Sequence, residues 1–209
     1  YHFNLRKDFE ENNLRIIQFR ENEIFNKSDL VKSMIFNISG KTTNKIHGRK
    51  TLFAKLTQGE ANLFLSENHL KGYIASNHYG LYHNEELISV MSIRKFNETL
   101  KIDRFCSKKF VVVNGAFSKL FKNILSTVSG INKVEYWVDL RYGSGRFLEK
   151  HGFKHQRDTL GWEWTNLCET FNRLNCRANM DNRKLGQAEH AAELKLSKIY
   201  DAGQRLWIR

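Results

Sequence analysis

The 209-residue sequence contains no proline. This excludes collagen-like segments, PxxP recognition motifs and stiff proline linkers. Lys, Asn, Phe, Ile and Tyr are encoded by AT-rich codons and proline by GC-rich ones, so the absence is assigned to coding-genome base composition. Cysteine is scarce and odd in number: Cys106, Cys168 and Cys176. An odd set in a chain of ordinary size points to reduced intracellular thiols rather than a disulfide framework. No run approaches the ~18 apolar residues a membrane-spanning helix needs. Tyr1, His2 and Phe3 open the chain without a charged-then-apolar leader, so no secretory signal is expected. The first residue is not Met, and the expectation is a processed chain or a fragment of a longer one.

Acidic residues are in deficit. Lys and Arg number 34 against 22 Asp and Glu, a net charge of +12, in a chain that is 41% hydrophobic. The composition is that of a globular protein with a real core. The charge favours a polyanionic partner, because each phosphate neutralised releases counterions. Between Asp29 and Glu60 there is no carboxylate, and Lys41, Lys45, Arg49 and Lys50 fall in that gap. Phosphate contact by these four residues is the expectation, in competition with a solvated basic loop.

Spacing predicts a helix over 4–13, with Leu5 and Phe9 at i and i+4. Asn12-Asn13 breaks it, and Leu14–Phe19 reads as a short strand. A second helix is predicted over 28–38, with Ser28 as N-cap and Leu30, Val31, Met34, Ile35 and Ile38 as its stripe. Residues 41–57 read as a basic linker. Beyond it come a helix at 58–68, a hairpin over 80–95 turning at 84–86, and strand-like runs at 101–106 and 109–113. A helix at 117–128 puts Leu120, Phe121, Ile124 and Leu125 on one face; a strand at 134–138, a helix at 145–151 and a strand at 161–165 follow. This order demands a mixed sheet with helices on both faces, an α/β (α+β) class. The tail, 168–209, adds a helix at 187–196 and a strand, Gly turn and strand around Gly203.

Candidate chemistry is sparse. His151 and His155 with Cys168 and Cys176 lack the C-x2–4-C spacing of a zinc site, and no metal is assigned. His78 and His83 flank a hairpin strand without a nearby acid or thiol. Ser118 lacks a G-x-S-x-G elbow and an evident base. Alternation places Trp162 and Trp164 on one face, in the core. Arg141, Tyr142, Ser144 and Arg146 lie on a loop before a helix, a position suited to a phosphate or to coenzyme A.

The segment with Leu87–Ile93, then Val111-Val-Val-Asn-Gly-Ala-Phe-Ser-Lys-Leu120, Tyr136-Trp-Val-Asp-Leu-Arg141 and Arg146-Phe-Leu-Glu-Lys-His-Gly-Phe153 is similar to the GNAT-type N-acetyltransferase fold. Around it, Tyr1-His2, Leu14–Glu23, Lys32-Ser33, Lys45-Ile46, Arg49-Lys50, Glu67–Gly72, Gly80–His83, Arg104–Cys106 and Ile199–Gly203 resemble phage homing-endonuclease-like proteins. In those proteins a very-short-patch-repair-like nuclease core precedes a GNAT-like domain.

The resemblance implies a remnant of the nuclease core at 1–40, the linker at 41–57, a GNAT-like domain at 58–167 and a C-terminal extension at 168–209. It further implies a protein in the cytoplasm of a bacterial host, off the membrane, that binds double-stranded DNA through Lys41, Lys45, Arg49, Lys50, Arg141, Tyr142 and Arg146. The GNAT-like domain would then serve as scaffold or DNA-recognition module. His2, Glu21 and Glu23 are what could remain of the nuclease centre. A divalent metal and DNA hydrolysis would require further acids upstream of Tyr1 in a longer parent. The alternative implied is an acyltransferase using acetyl-CoA, with Val113, Asn114, Gly115, Ala116 and Ser118 as the cofactor loop. There Phe117 replaces the second small residue of the family's loop and is expected to crowd the approach that glycine permits.

Overall fold

The computed structural model describes residues 1–171 and 186–209; Cys176 and the tail around it lie outside the described residues. The chain divides into two compact units, Tyr1–Asn22 with Val138–Gly145 and Gln156–Arg205, and Glu23–Trp137 with Arg146–His155 and Leu206–Arg209.

Three helices come first: α1 (His2–Glu11), α2 (Glu21–Asn26) and α3 (Ser28–Ile38). Leu14–Phe19 form no strand. Of this stretch, the Gln18 amide donates to the carbonyl of Arg141 at 3.0 Å, an isolated bond rather than a ladder. Two β-branched residues between polar neighbours cannot hold a strand without a partner. The helix–strand–helix expected for a nuclease remnant is therefore corrected to helix, loop, helix, helix. At α3 the N-cap is Lys27, not Ser28, and it makes no side-chain cap.

Next come β1 (Lys45–His47), a 3-10 turn at Gly48–Lys50 and β2 (Leu52–Leu56), all inside the span read as linker. Helix α4 (Gln58–Asn68) starts in a capping box, the Thr57 hydroxyl accepting from the Glu60 amide while the Glu60 carboxylate accepts from the Thr57 amide. The hairpin is β3 (Asn77–His83) and β4 (Glu86–Phe96), joined through Asn84 and Glu85, both at positive φ. Then follow β5 (Thr99–Ser107), β6 (Val112–Asn114), α5 (Ala116–Thr127), β7 (Lys133–Asp139), a 3-10 helix at Arg146–His151 and β8 (Lys154–Thr159). The chain closes with β9 (Trp162–Thr165), β10 (Thr170–Phe171), α6 (Gln187–Glu193), β11 (Ser197–Tyr200) and β12 (Gln204–Ile208).

The main sheet is mixed and seven-stranded, in the order β2-β3-β4-β5-β7-β12-β8. Its β2 to β5 pairings are antiparallel and β5 pairs β7 in parallel. Two small sheets accompany it, β10-β9-β11 and the parallel pair β1-β6.

In the larger unit, α4 buries Ala61, Phe64 and Leu65 against Leu56 and Val90, with Cys106 packed alongside. Helix α5 instead packs Phe117 on Phe105, ring centroids 5.3 Å apart. Cys106 and Phe105 are successive strand residues and point to opposite faces, so α4 and α5 cover opposite faces of the sheet. Leu65, Leu120 and Ile124 are fully buried; truncating any of them to Ala costs about 2–5 kcal/mol.

The smaller unit is held by charge as much as by apolar contact. Arg205 binds Asp158 and Glu10, and Arg6 binds the same two carboxylates. Trp164 is buried beside Ala191, with Trp162 edge-on to it at 5.2 Å and the Lys198 ammonium over both rings.

Candidate functional site

The loop from β6 into α5 sits in the larger unit. Gly115, the N-cap, has φ +79°, a left-handed conformation that costs an L-residue about 1–2 kcal/mol. A Cβ built there would meet nothing within 4 Å, so the backbone at this point lies open. No side chain caps α5 and its first turn contains no acid. Its first N–H groups and the positive end of the helix dipole are therefore presented to whatever approaches the loop.

Phe117 does not crowd this approach, which corrects the expectation from the sequence. Its side chain turns inward, with the residue 6% exposed, and lies in a cluster with Phe105, Phe121, Tyr136, Phe147, His151 and Phe153. A phenyl ring contacting so many partners is fixed by packing rather than by the loop.

A cleft of about 420 Å³ opens along α5 from Ser118 to Leu125. Phe121 and Leu125 give it an apolar side, while Ser118, Lys122, Lys150, His151 and Arg209 supply polar atoms. Among the described residues no acidic side chain lines it. Arg209 is fixed at both ends: its backbone exchanges hydrogen bonds with Val134 at 2.7 and 3.0 Å, and its guanidinium lies 5.3 Å over the Phe121 ring. Burial, then the charges of Arg209 and Lys150, hold the His151 imidazole below its ordinary value, so the ring is neutral at pH 7. Its Nε2 lies 3.4 Å from the Ser118 hydroxyl, a neighbour the sequence did not reveal. The cleft thus carries three cations and a neutral imidazole, a surface for a polyanion.

The parallel ladder of β5 and β7 runs from Thr99–Lys133 to Ile102–Tyr136 and stops there, although β5 continues to Ser107. Tyr136 ends the ladder. Burial raises its phenol above the ordinary value, and Cys106 and Arg104 are the charged or ionisable groups it feels. The Cys106 thiol is likewise pushed up by burial, to about 12.

Of the residues singled out in the sequence, Asn114, Gly115, Ala116 and Ser118 fall on this loop and helix start, with Val113 in β6 just before. Lys45 pairs in register with Val112, and a Cβ on Gly48 would come within 3.0 Å of the Asn114 carbonyl oxygen. The basic stretch with Arg49 and Lys50 is thus packed beside the loop rather than strung out between domains; Lys41, Lys45, Arg49 and Lys50 are all exposed.

Arg141 is corrected. It is 1% exposed and its guanidinium is ion-paired with Asp139 at 2.9 Å, so it stabilises its own loop instead of reaching a ligand. Tyr142 lies under that guanidinium, 4.6 Å away, while Arg146 is exposed. Glu21 and Glu23 lie two apart on α2, where side chains diverge, and His2 is exposed on α1. Among the described residues no group of three or more His, Cys, Asp or Glu could hold a metal ion. Among the same residues no helix is long and apolar enough to cross a membrane.

No family model matches the sequence, and no curated protein matches it. Solved structures do. A GNAT family acetyltransferase from Elizabethkingia anophelis with acetyl-CoA bound is 14% identical, covering 76% of this chain and 97% of its own, at a TM-score of 0.44. Escherichia coli ElaA is 12% identical, covering 76% and 99%, at 0.45. A Bacillus subtilis acetyltransferase in complex with CoA is 16% identical, covering 76% and 97%, at 0.41. The reading as a DNA-binding protein of phage homing-endonuclease lineage is corrected. The strand that this reading needs at Leu14–Phe19 does not form; two of the three solved structures are described as acetyltransferases and none as a nuclease. What the chain has is a mixed α/β fold with a large seven-stranded mixed sheet and helices on both of its faces.

Proposed function

We propose that the protein is an acyltransferase that moves an acyl group from acyl-CoA to an amine. The observation that carries this reading is the cleft of Lys122, Lys150, His151 and Arg209 along α5, a helix whose N-terminus has no side-chain cap. Three cations without a carboxylate suit the phosphates of a coenzyme, and Gly115 leaves the backbone open to them. Coenzyme A supplies the acyl group as an activated thioester. The exposed Lys45, Arg49 and Lys50, packed beside the loop, add to the same positive field.

The chain's own groups favour direct transfer over a covalent acyl-enzyme. Cys106, on β5 beyond the end of the β5–β7 ladder, has its pKa pushed up to about 12 by burial and stays protonated at neutral pH, hence unreactive. Tyr136, raised by burial, keeps its proton at Oη and can deliver it to a leaving thiolate. The incoming amine must arrive neutral, since an ammonium has no lone pair.

Thermal unfolding with and without acetyl-CoA tests the reading. A ligand at about 100 times its Kd stabilises by about 2.7 kcal/mol, an upward shift in Tm of several degrees. The triple variant Lys122→Gln/Lys150→Gln/Arg209→Gln should lose that shift while melting normally without ligand. No shift in the wild type at millimolar acetyl-CoA would refute the proposal.

A further inference from the structure

On the α4 face of the sheet, beside the end of the β5–β7 ladder, stands an arginine that makes no ion pair among the described residues. Arg104 lies on β5, in the same alternation as Cys106. It is half-buried, yet its guanidinium donates to two backbone carbonyls, from Nη1 to Asp103 at 2.8 Å and from Nε to Gly72 at 3.4 Å. Neither acceptor carries charge, and Nη2 has no protein acceptor among the described residues. The nearest carboxylate, Asp103, is taken by others. Arg94 binds it through Nε and Nη2, both at 2.7 Å, and the Ser76 hydroxyl donates to it at 2.7 Å. A desolvated guanidinium without an anion is costly to keep, which a ligand anion would offset.

The surroundings reinforce this. His69, at the C-terminal end of α4, accepts a hydrogen bond at Nδ1 from the Lys71 amide at 3.1 Å. Burial first, then the charges of Arg104, Lys27 and Lys71, push its imidazole down to about 3. The ring is therefore neutral, with its proton on Nε2, a donor rather than a base. Lys27 donates to the carbonyls of His69 and Leu70 at 3.1 and 3.0 Å; Glu23 is the carboxylate whose charge it feels.

We propose that this site, with Arg104 as its anchor and His69 as a flanking neutral donor, binds a carboxylate-bearing small molecule. Identifying that molecule as the acyl acceptor rests on the acyltransferase reading above; the carboxylate site does not. One unpaired guanidinium matches one carboxylate, whose two oxygens can be met side by side by its donors. A basic side chain at this point would repel a purely cationic amine, so the acceptor would be an amino acid or another amine that also bears a carboxylate.

The test is a titration, without coenzyme, of 4-aminobutyrate, glutarate, butylamine, glutaramide and inorganic phosphate, followed through the Arg104 Nε–H resonance. Both carboxylates should move that resonance saturably and the uncharged or cationic partners should not. Arg104→Met should weaken carboxylate binding by at least about tenfold, close to the 1.4 kcal/mol that one decade represents, with Arg104→Lys recovering part of it. Should Arg104→Met fail to fold, the carboxylate-against-amide comparison in the wild type decides alone. Equal response to glutarate and glutaramide, response to none of the probes, or tighter binding of phosphate than of both carboxylates would each overturn the proposal. Carboxylate binding in a protein that ignores acetyl-CoA would leave this site standing and remove the acyltransferase reading. The converse would remove the site alone.

Discussion

Replacing Arg205 by Met should remove about 3 kcal/mol from the stability of the smaller unit. The guanidinium makes four hydrogen bonds: to Asp158 at 2.7 and 2.8 Å, and to Glu10 at 2.9 and 3.1 Å. The side chains of Arg205, Asp158 and Glu10 are 9%, 14% and 28% exposed. Deleting one partner of a buried pair costs about 3–5 kcal/mol, because the partner charge is stranded away from water. Here two carboxylates would be stranded, but Arg6 still reaches both, which places the cost at the lower end of that range. The comparison is Lys108→Met. Its partner is Glu86 and the two side chains are 41% and 55% exposed, so water screens the pair and its loss costs about 1 kcal/mol or less. Urea denaturation of both variants, followed by circular dichroism, measures the difference. For a chain of this size about 3 kcal/mol also lowers Tm by roughly 6–12 °C. An Arg205→Met loss no larger than that of Lys108→Met would refute the argument that burial makes this network strong.

The same network sets an acid limit. Hydrogen bonding to Arg205 holds the Glu10 carboxyl below its ordinary 4.5, so its contribution is present above that value and disappears as pH falls through the folded value. The urea midpoint of wild type should fall towards that of Glu10→Gln on acidification below 4.5, and parallel curves for the two proteins would contradict this. With its pKa pushed up to about 12, Cys106 should resist iodoacetamide at pH 8 in the folded state, whereas the exposed Cys168 reacts; mass spectrometry of the labelled peptides settles it, and equal labelling would mean that Cys106 is accessible. Gly115→Ala should cost about 1–2 kcal/mol from backbone strain alone, since its Cβ would have open space around it. A neutral result in urea denaturation would mean that the loop relaxes out of the left-handed conformation.

Much of the fold is legible in local pattern. The stripe over 28–38 and the apolar spacing over 58–68 match α3 and α4 residue for residue, and 117–128 is offset from α5 by one. The hairpin turn at Asn84 and Glu85 and the strand, Gly turn and strand around Gly203 are equally local signals, set by positive φ and alternation. Such features depend on neighbours a few residues away, which a sequence displays directly. Leu14–Phe19 and β1 show the limit. Both are short and of mixed polarity, yet β1 forms because Val112–Asn114 supplies a partner, while Leu14–Phe19 forms no strand.

The sequence by itself determined α1, α3, α4, α5 and α6, though not α2, together with the hairpin, the mixed-sheet class and the glycine at the start of α5, because each follows from periodicity or from a residue's own backbone freedom. Tertiary structure alone decided the chemistry of the charged and aromatic residues. It turned Phe117 inward, buried Arg141 against Asp139, gathered Lys122, Lys150 and Arg209 into one cleft, and left Arg104 without an ion pair among the described residues. Charge and ring orientation act over distance through space rather than along the chain, so residues such as Phe121 and Arg209, far apart in sequence, acquire their roles only when the sheet brings them together.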